Sequence, residues 1–131
     1  MRVDLNDLLE PSAAGKYLLI DARDPVRYRG DHEPLDPVAG HIPGARNHFW
    51  QHNLDEGGLF LHPERLRVRY ASLLAVRLPD HAVLYCGSGV TACHNLLAME
   101  LAGMEGAKLY PGSWSEWCAD PARPVETGDG D

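Results

Sequence analysis

The sequence predicts an α/β fold: a small, mainly parallel sheet flanked by helices on both faces. Three observations lead there. Two short apolar runs, 17–20 and 82–85, have the length and continuity of strands buried on both sides. Each run stops at polar residues, Asp21-Ala22-Arg23-Asp24-Pro25 after the first and Cys86-Gly87-Ser88-Gly89 after the second, and the carboxyl ends of strands are where open α/β sheets place ligands. Helical patterns separate the runs, so crossovers rather than hairpins connect them.

Composition narrows the classes further. A chain of 131 residues with 44% hydrophobic content supports one domain with a real core, expected over residues 1–120 with a flexible tail at 121–131. A formal net charge of −7 argues against a nucleic-acid surface or a basic membrane patch as the main partner. Three cysteines are too few for a disulfide scaffold, and their odd number fits a reducing compartment. No apolar stretch reaches membrane-spanning length, and Met1-Arg2-Val3-Asp4 lacks the basic-then-apolar start of a secretory signal. A cytoplasmic location is the expectation.

The elements follow in order. Asp4 fits the cap of a short peripheral helix with Leu5, Leu8 and Leu9 on its apolar side, stopped by Pro11 and the small residues of 12–15. The first strand is followed by a helical turn at 27–30, an acidic, proline-rich surface loop at 31–40 and a turn at His41-Ile42-Pro43-Gly44-Ala45. Residues 47–62 show no clean period. Pro63 suits the first position of a helix with Leu66, Tyr70, Leu73 and Leu74 on one face. Beyond the second strand and its loop, Cys93, Leu96, Leu97, Leu101 and Met104 are spaced as one face of a helix, which places Cys93 in the core. Gly103 and Gly106 end that helix, 107–110 fits a last strand, and Ser113 suits the cap of a helix carrying Trp114 and Trp117.

The chemistry gathers at Val83-Leu84-Tyr85-Cys86-Gly87-Ser88-Gly89-Val90-Thr91-Ala92. Gly87 and Gly89 let successive amides turn inward on one centre, which suits an anion or a thiolate. The start of the next helix adds partial positive charge and favours the thiolate of Cys86, the nucleophilic form. A structural cysteine closing a buried strand is the competing reading, and the loop that follows disfavours it. Cys118 is incidental, and a zinc site from Cys86, Cys93 and His94 lacks a close cysteine pair. Phosphatases use a similar loop with an arginine to clamp the phosphoryl oxygens. Ala92 stands where that arginine belongs, which weakens a phosphatase reading.

Four ordered segments, LLIDARDPVRYRG, AGHIPGARN, CGSGVTA and YPGSWSEW, resemble the rhodanese family of sulfurtransferases across nearly the whole chain. The likeness is greatest to the catalytic C-terminal half of tandem-domain enzymes that use thiosulfate or 3-mercaptopyruvate, in which a separate rhodanese-like domain comes first. The resemblance implies a persulfide on Cys86, charged by a small anionic sulfur donor and discharged to cyanide or a thiol acceptor such as thioredoxin or a low-molecular-weight thiol. It implies no metal or organic cofactor. A carrier module that holds a persulfide or anion for a partner without turnover is the alternative.

By the same resemblance Ser88 bonds the departing sulfur or the substrate carbonyl, and Gly87, Gly89, Val90 and Thr91 complete the active-site loop. Thr91 either caps the helix or bonds the persulfide. The uncharged Gly87 and Ser88 are similar to the mercaptopyruvate type, whereas thiosulfate-preferring relatives carry cations there. Glu33-Pro34-Leu35 lacks the second arginine that mercaptopyruvate enzymes place after Glu-Pro, so both donors stay open. Arg27, before the aromatic Tyr28, matches the family's substrate arginine. For both arginines the competing reading is pairing with Asp21, Asp24 or the acidic loop 31–36, and Arg23 is balanced between that and substrate binding. Asp21 organises the loop, His41 fixes the GHIPGA turn, and Trp114 either packs in the core or walls the pocket.

Overall fold

In the computed structural model, which describes residues 2–10, 16–75, 77–87 and 91–129, the two apolar runs are adjacent strands. Strand β1 (Leu18–Asp21) pairs in parallel with β3 (Ala82–Tyr85), from Leu18 opposite Ala82 to Asp21 opposite Tyr85. The two-residue strands β2 (Arg46–Asn47) and β4 (Lys108–Leu109) flank them, giving a parallel sheet in the order β2-β1-β3-β4.

All four residues of β3 are buried, because side chains alternate between two covered faces. Ala82 and Leu84 join Leu66, Tyr70 and Leu74 of α3 (Pro63–Leu74) and Ala98 and Met99 of α4 (Ala92–Leu101). Val83 and Tyr85 join Tyr28 of α2 (Pro25–Arg29) and Trp114 and Trp117 of α5 (Ser113–Trp117). Truncating Leu84 removes contacts with the α3 and α4 layer and is worth about 2–5 kcal/mol.

The remaining helices follow their signals. In α1 (Leu5–Leu9), Asp4 and Asp7 form a capping box and no residue is buried, as a peripheral element requires. In α2 the Asp24 carboxylate accepts the Val26 N–H at 3.0 Å, Pro25 opens the first turn and Gly30 closes the last at φ +84°.

Helix α4 corrects the expected face. Cys93 is exposed, as are Leu97 and Leu101, while Ala92, Asn95, Ala98 and Met99 are buried. Small side chains let the helix lie close on the sheet and α3; Leu96 and Met104 of the expected face still pack on the core, while Leu97 and Leu101 turn outward. Ser113 is the second correction. It is the first residue of α5 with φ +57°, and no side-chain cap bond is made at Gly112 before it.

The segment without a clean period supplies β2 and a 3-10 turn, Trp50–Asn53, docked on the end of β1 by Trp50 N–H to the Ala22 carbonyl at 3.1 Å. Residues 121–129, expected as a flexible tail, run back over the fold by hydrogen bonds and by Val125, which packs against the cluster of Tyr28 and Trp117. Glu126 and His41 form an antiparallel bridge, Trp117 Nε1 donates to the Pro124 carbonyl and Gly128 N–H to the Arg29 carbonyl. Gly40 permits this contact, since a Cβ there would lie 2.5 Å from the Glu126 oxygen. Gly130 and Asp131 lie outside the described residues.

Candidate active site

Cys86 follows the central strand β3 and is 2% exposed, at the floor of an open cleft of about 500 Å³. Arg27, Asp36, Phe49, Trp50, Thr91 and Ser115 line the cleft, and the Ser115 hydroxyl donates to Asp36 at 2.8 Å. The start of α5 fixes the floor. The Cys86 N–H donates to Ser113 Oγ at 3.1 Å, and that hydroxyl donates to the Tyr110 carbonyl at 2.9 Å. The Trp114 and Ser115 amides donate to the Cys86 and Gly87 carbonyls, both at 2.9 Å. The backbone on either side of the sulfur is therefore held by the start of α5. Ser113 and Ser115 hold the backbone beside Cys86, where their sequence suggests only helix capping for the first and nothing for the second. The signal was the serine pair within YPGSWSEW, whose meaning depends on a strand far away in sequence.

The two arginines after β1 divide their tasks. Arg23 is buried with all three guanidinium nitrogens engaged: Nε and Nη2 on the Asp21 carboxylate, Nη2 also on the Gly40 carbonyl at 2.6 Å and Nη1 on Glu33 at 3.2 Å. Its guanidinium lies 4.9 Å over the Trp114 ring. Burial opposes its charge, but Asp21, by charge and hydrogen bond, with Tyr85 and Glu33, outweighs burial and holds the pKa above its ordinary value. Arg27 is 18% exposed along its side chain and reaches into the cleft. Its Nε and Nη2 take the two Glu33 oxygens at 3.2 and 3.0 Å, Nη2 meets Asp36 Oδ2 at 3.3 Å, and Nη1 has no hydrogen-bond partner among the described residues. Gly87 allows this approach, since a Cβ would sit 3.3 Å from Nη2. Burial pushes the Glu33 carboxyl up, yet hydrogen bonds from Arg27 and from the Leu35 and Asp36 amides bring it below the usual range.

A neutral network supports the aromatic wall. Asn53 Oδ1 accepts from Tyr70 Oη and His48 Nε2, both at 2.8 Å, and its Nδ2 donates to Asn95 Oδ1 at 2.7 Å. Asn95 in turn donates to the His48 carbonyl at 3.0 Å. The Trp50 ring stacks obliquely on His94, 5.1 Å between centroids, and His94 Nδ1 lies 3.1 Å from Asn53 Nδ2. Burial pushes the His48 pKa down to about 4, so its imidazole is neutral near pH 7.

The structure brings Cys86, Gly87, Arg27, Arg23 and Thr91 to one cleft. Ser88, Gly89 and Val90 lie outside the described residues. Thr91 stands at the N-cap of α4 without a side-chain cap bond, which leaves its hydroxyl to the cleft. Asp21 holds the Arg23 N–H at 2.9 Å as well as the side chain. Trp114 is fully buried, with Nε1 donating to the Val38 carbonyl at 2.9 Å; it underlies Arg23 rather than walling the cleft. His41 is buried and stacked on Tyr28 at 3.8 Å, with Nδ1 2.7 Å from the Tyr28 carbonyl oxygen. Ala92, where a phosphatase would need its arginine, is buried as the first residue of α4. Among the described residues no group of three His, Cys, Asp or Glu is placed to hold a metal, and no helix is long and apolar enough to cross a membrane.

Comparison with known proteins gives the same outline. A protein from Pseudomonas aeruginosa named probable 3-mercaptopyruvate sulfurtransferase is 59% identical over 111 residues, covering 85% of this chain and 39% of that protein. The thiosulfate sulfurtransferase of Cricetulus griseus is 37% identical over 113 residues, covering 84% of this chain and 38% of that one. The crystal structure of the Tum1 protein from Saccharomyces cerevisiae matches with a TM-score of 0.81 at 28% identity, over 99% of this chain and 47% of that chain. The chain thus spans about two fifths of the length of these curated relatives. The family model described as a rhodanese-like domain matches residues 4–120, and the chain belongs to that family.

Proposed function

We propose that the chain is a sulfurtransferase that carries sulfane sulfur on Cys86, taking it from 3-mercaptopyruvate or thiosulfate and passing it to a thiol or cyanide. The observation that carries this reading is the position of Cys86: at the end of the central strand, with its backbone fixed by α5 and its cleft edged by Arg27. The Cys86 thiolate attacks the donor sulfur and forms an S–S bond. With 3-mercaptopyruvate the C–S bond breaks, and the methylene carbon takes the electron pair and the donor's thiol proton to give pyruvate. With thiosulfate the S–S bond breaks and sulfite leaves with the pair. A thiolate or cyanide then attacks the outer sulfur, and Cys86 departs as thiolate.

Arg27 Nη1 is the donor group offered to the substrate's carboxylate or sulfonate. Thr91 and Ser115 present hydroxyls to the same cleft, and Ser88 is assigned to the departing sulfur or the substrate carbonyl. Asp21 and Trp114 support the site through Arg23. Thioredoxin or a small thiol as acceptor, and a cytoplasmic location, complete the proposal.

The test is thiocyanate formation from each donor with cyanide, for the native protein and Cys86→Ser. The native protein is expected to turn over repeatedly and the variant to stay at the uncatalysed background. Equal rates would sink the enzyme reading. One sulfur atom retained on Cys86 by intact mass, with no second turnover, would convert it to a carrier.

A further inference from the structure

Two arginines border the cleft, and three carboxylates already answer them. Asp21 and Glu33 hold Arg23, Glu33 and Asp36 hold Arg27, and Asp24 lies at the cleft edge capping α2. An incoming anion therefore meets no surplus of positive charge. Asp36 is the acid placed to act on it. Its side chain is 12% exposed and lines the cleft. Oδ2 is 3.3 Å from Arg27 Nη2, and Oδ1 accepts the Ser115 hydroxyl at 2.8 Å. The Ser115 amide in turn bonds the Gly87 carbonyl at 2.9 Å, next to the reactive cysteine. The carboxylate is thus fixed from two sides, beside the arginine a donor must reach.

We propose that Asp36 is a specificity-determining residue that sets the charge of the sulfur donor, admitting a monoanionic keto acid thiol and penalising dianionic thiosulfate. The free-energy cost of a fixed carboxylate scales with the charge brought near it, so the fold-penalty for a dianion is the square of that for a monoanion. A threefold penalty for one charge becomes about tenfold for two. Asp36 also shares Nη2 of Arg27 with Glu33, and its removal frees one N–H of that nitrogen for the anion. The identity of the donors rests on the sulfurtransferase reading; the charge preference of the cleft does not.

Asp36→Asn keeps the shape and an oxygen for Ser115 while deleting the charge. Its kcat/KM is expected to rise about tenfold with thiosulfate and about threefold with 3-mercaptopyruvate, with the gap narrowing in high salt. Asp36→Glu, which retains the charge, should keep the native ratio between donors. An unchanged ratio in Asp36→Asn, or a preferential loss with thiosulfate, overturns the proposal. Should Asp36→Asn not fold, the native protein still decides: its thiosulfate kcat/KM must rise with ionic strength relative to mercaptopyruvate, and a flat or falling ratio overturns it. Should the native protein turn over neither donor, the sulfurtransferase reading fails on its own. The charge preference is then read from protection of Cys86 against iodoacetamide, mapped by peptide to separate it from Cys93 and Cys118. Sulfate protection should strengthen more than pyruvate protection in Asp36→Asn, and equal changes would refute the selector.

Discussion

Two polar networks flank Cys86, and they are built on opposite principles. Toward α2 and α5 the network is ionic: Asp21, Arg23, Glu33, Arg27 and Asp36, graded from full burial to the cleft edge. Toward α3 and α4 it is neutral and closed: His48, Asn53, Tyr70 and Asn95, all buried. An ionic network can recognise an anion, but only while every buried charge has its partner. A neutral network stiffens the aromatic wall without placing a charge near Cys86, and it stays neutral only while its histidine does. Charge and neutral rigidity thus lie on different sides of Cys86, and each side should fail in its own way.

The ionic side should fail hardest at its buried end. Arg23→Met leaves Asp21, fully buried, without the cation that compensates it, and leaves Glu33 with Arg27 alone. A loss of about 3–5 kcal/mol in chemical denaturation is expected, the range for removing one partner of a buried pair. Asp21→Asn with Arg23→Met should lose less than Arg23→Met alone, because no orphaned carboxylate remains at the first site. A single-variant loss under about 1 kcal/mol would mean that the buried end is not structural.

The neutral side should fail with acid. The unfolded chain protonates His48 near the ordinary 6.5, whereas the folded state resists until about 4. The unfolded state therefore binds more protons in that window, and stability falls as pH falls from 6.5 to 4, by up to about 3 kcal/mol. The charges around the imidazole, His52 and Arg69, act in the same direction as burial. His48→Gln should flatten this part of the pH dependence of the melting temperature. An unchanged slope would show that another group carries it. Glu33, held below its usual range, adds its own loss only at lower pH, through the carboxylate range.

How much of this was legible depends on distance along the chain. Strands β1 and β3, α3 and the position of Cys86 are local patterns, and the structure places them within a residue or so of where periodicity does. Helix α4 has apolar residues on both sides, so spacing alone chose Cys93, Leu97 and Leu101, whereas close packing selected Ala92, Ala98 and Met99. Asn53 carries no periodic signal, and its role exists only once Tyr70, His48 and Asn95 converge on it. Ser113 reads as a cap in isolation and becomes the acceptor for the Cys86 amide only through the pairing of β3 with β4. The position of Arg27 was legible by resemblance and the acidic loop 31–36 as its ionic partner from composition, but the choice of Glu33 and Asp36 within that loop was not.

The smallest effect on stability, and the one most diagnostic of the division between the two ends of the ionic network, belongs to Arg27. Its removal still leaves Glu33 with Arg23 and with the Leu35 and Asp36 amides, and Arg27 itself is partly solvated. Arg27→Ala should therefore cost no more than about 1 kcal/mol of stability. Its KM for the donor should rise about tenfold or more with a smaller change in kcat, the signature of lost ground-state binding. Arg27→Lys restores the charge but not the fork that holds both Glu33 oxygens, and should recover only part of the KM. If Arg27→Ala instead destabilised the fold like Arg23→Met and left KM unchanged, both arginines would be structural. The cleft would then have to capture its anion without a side-chain cation.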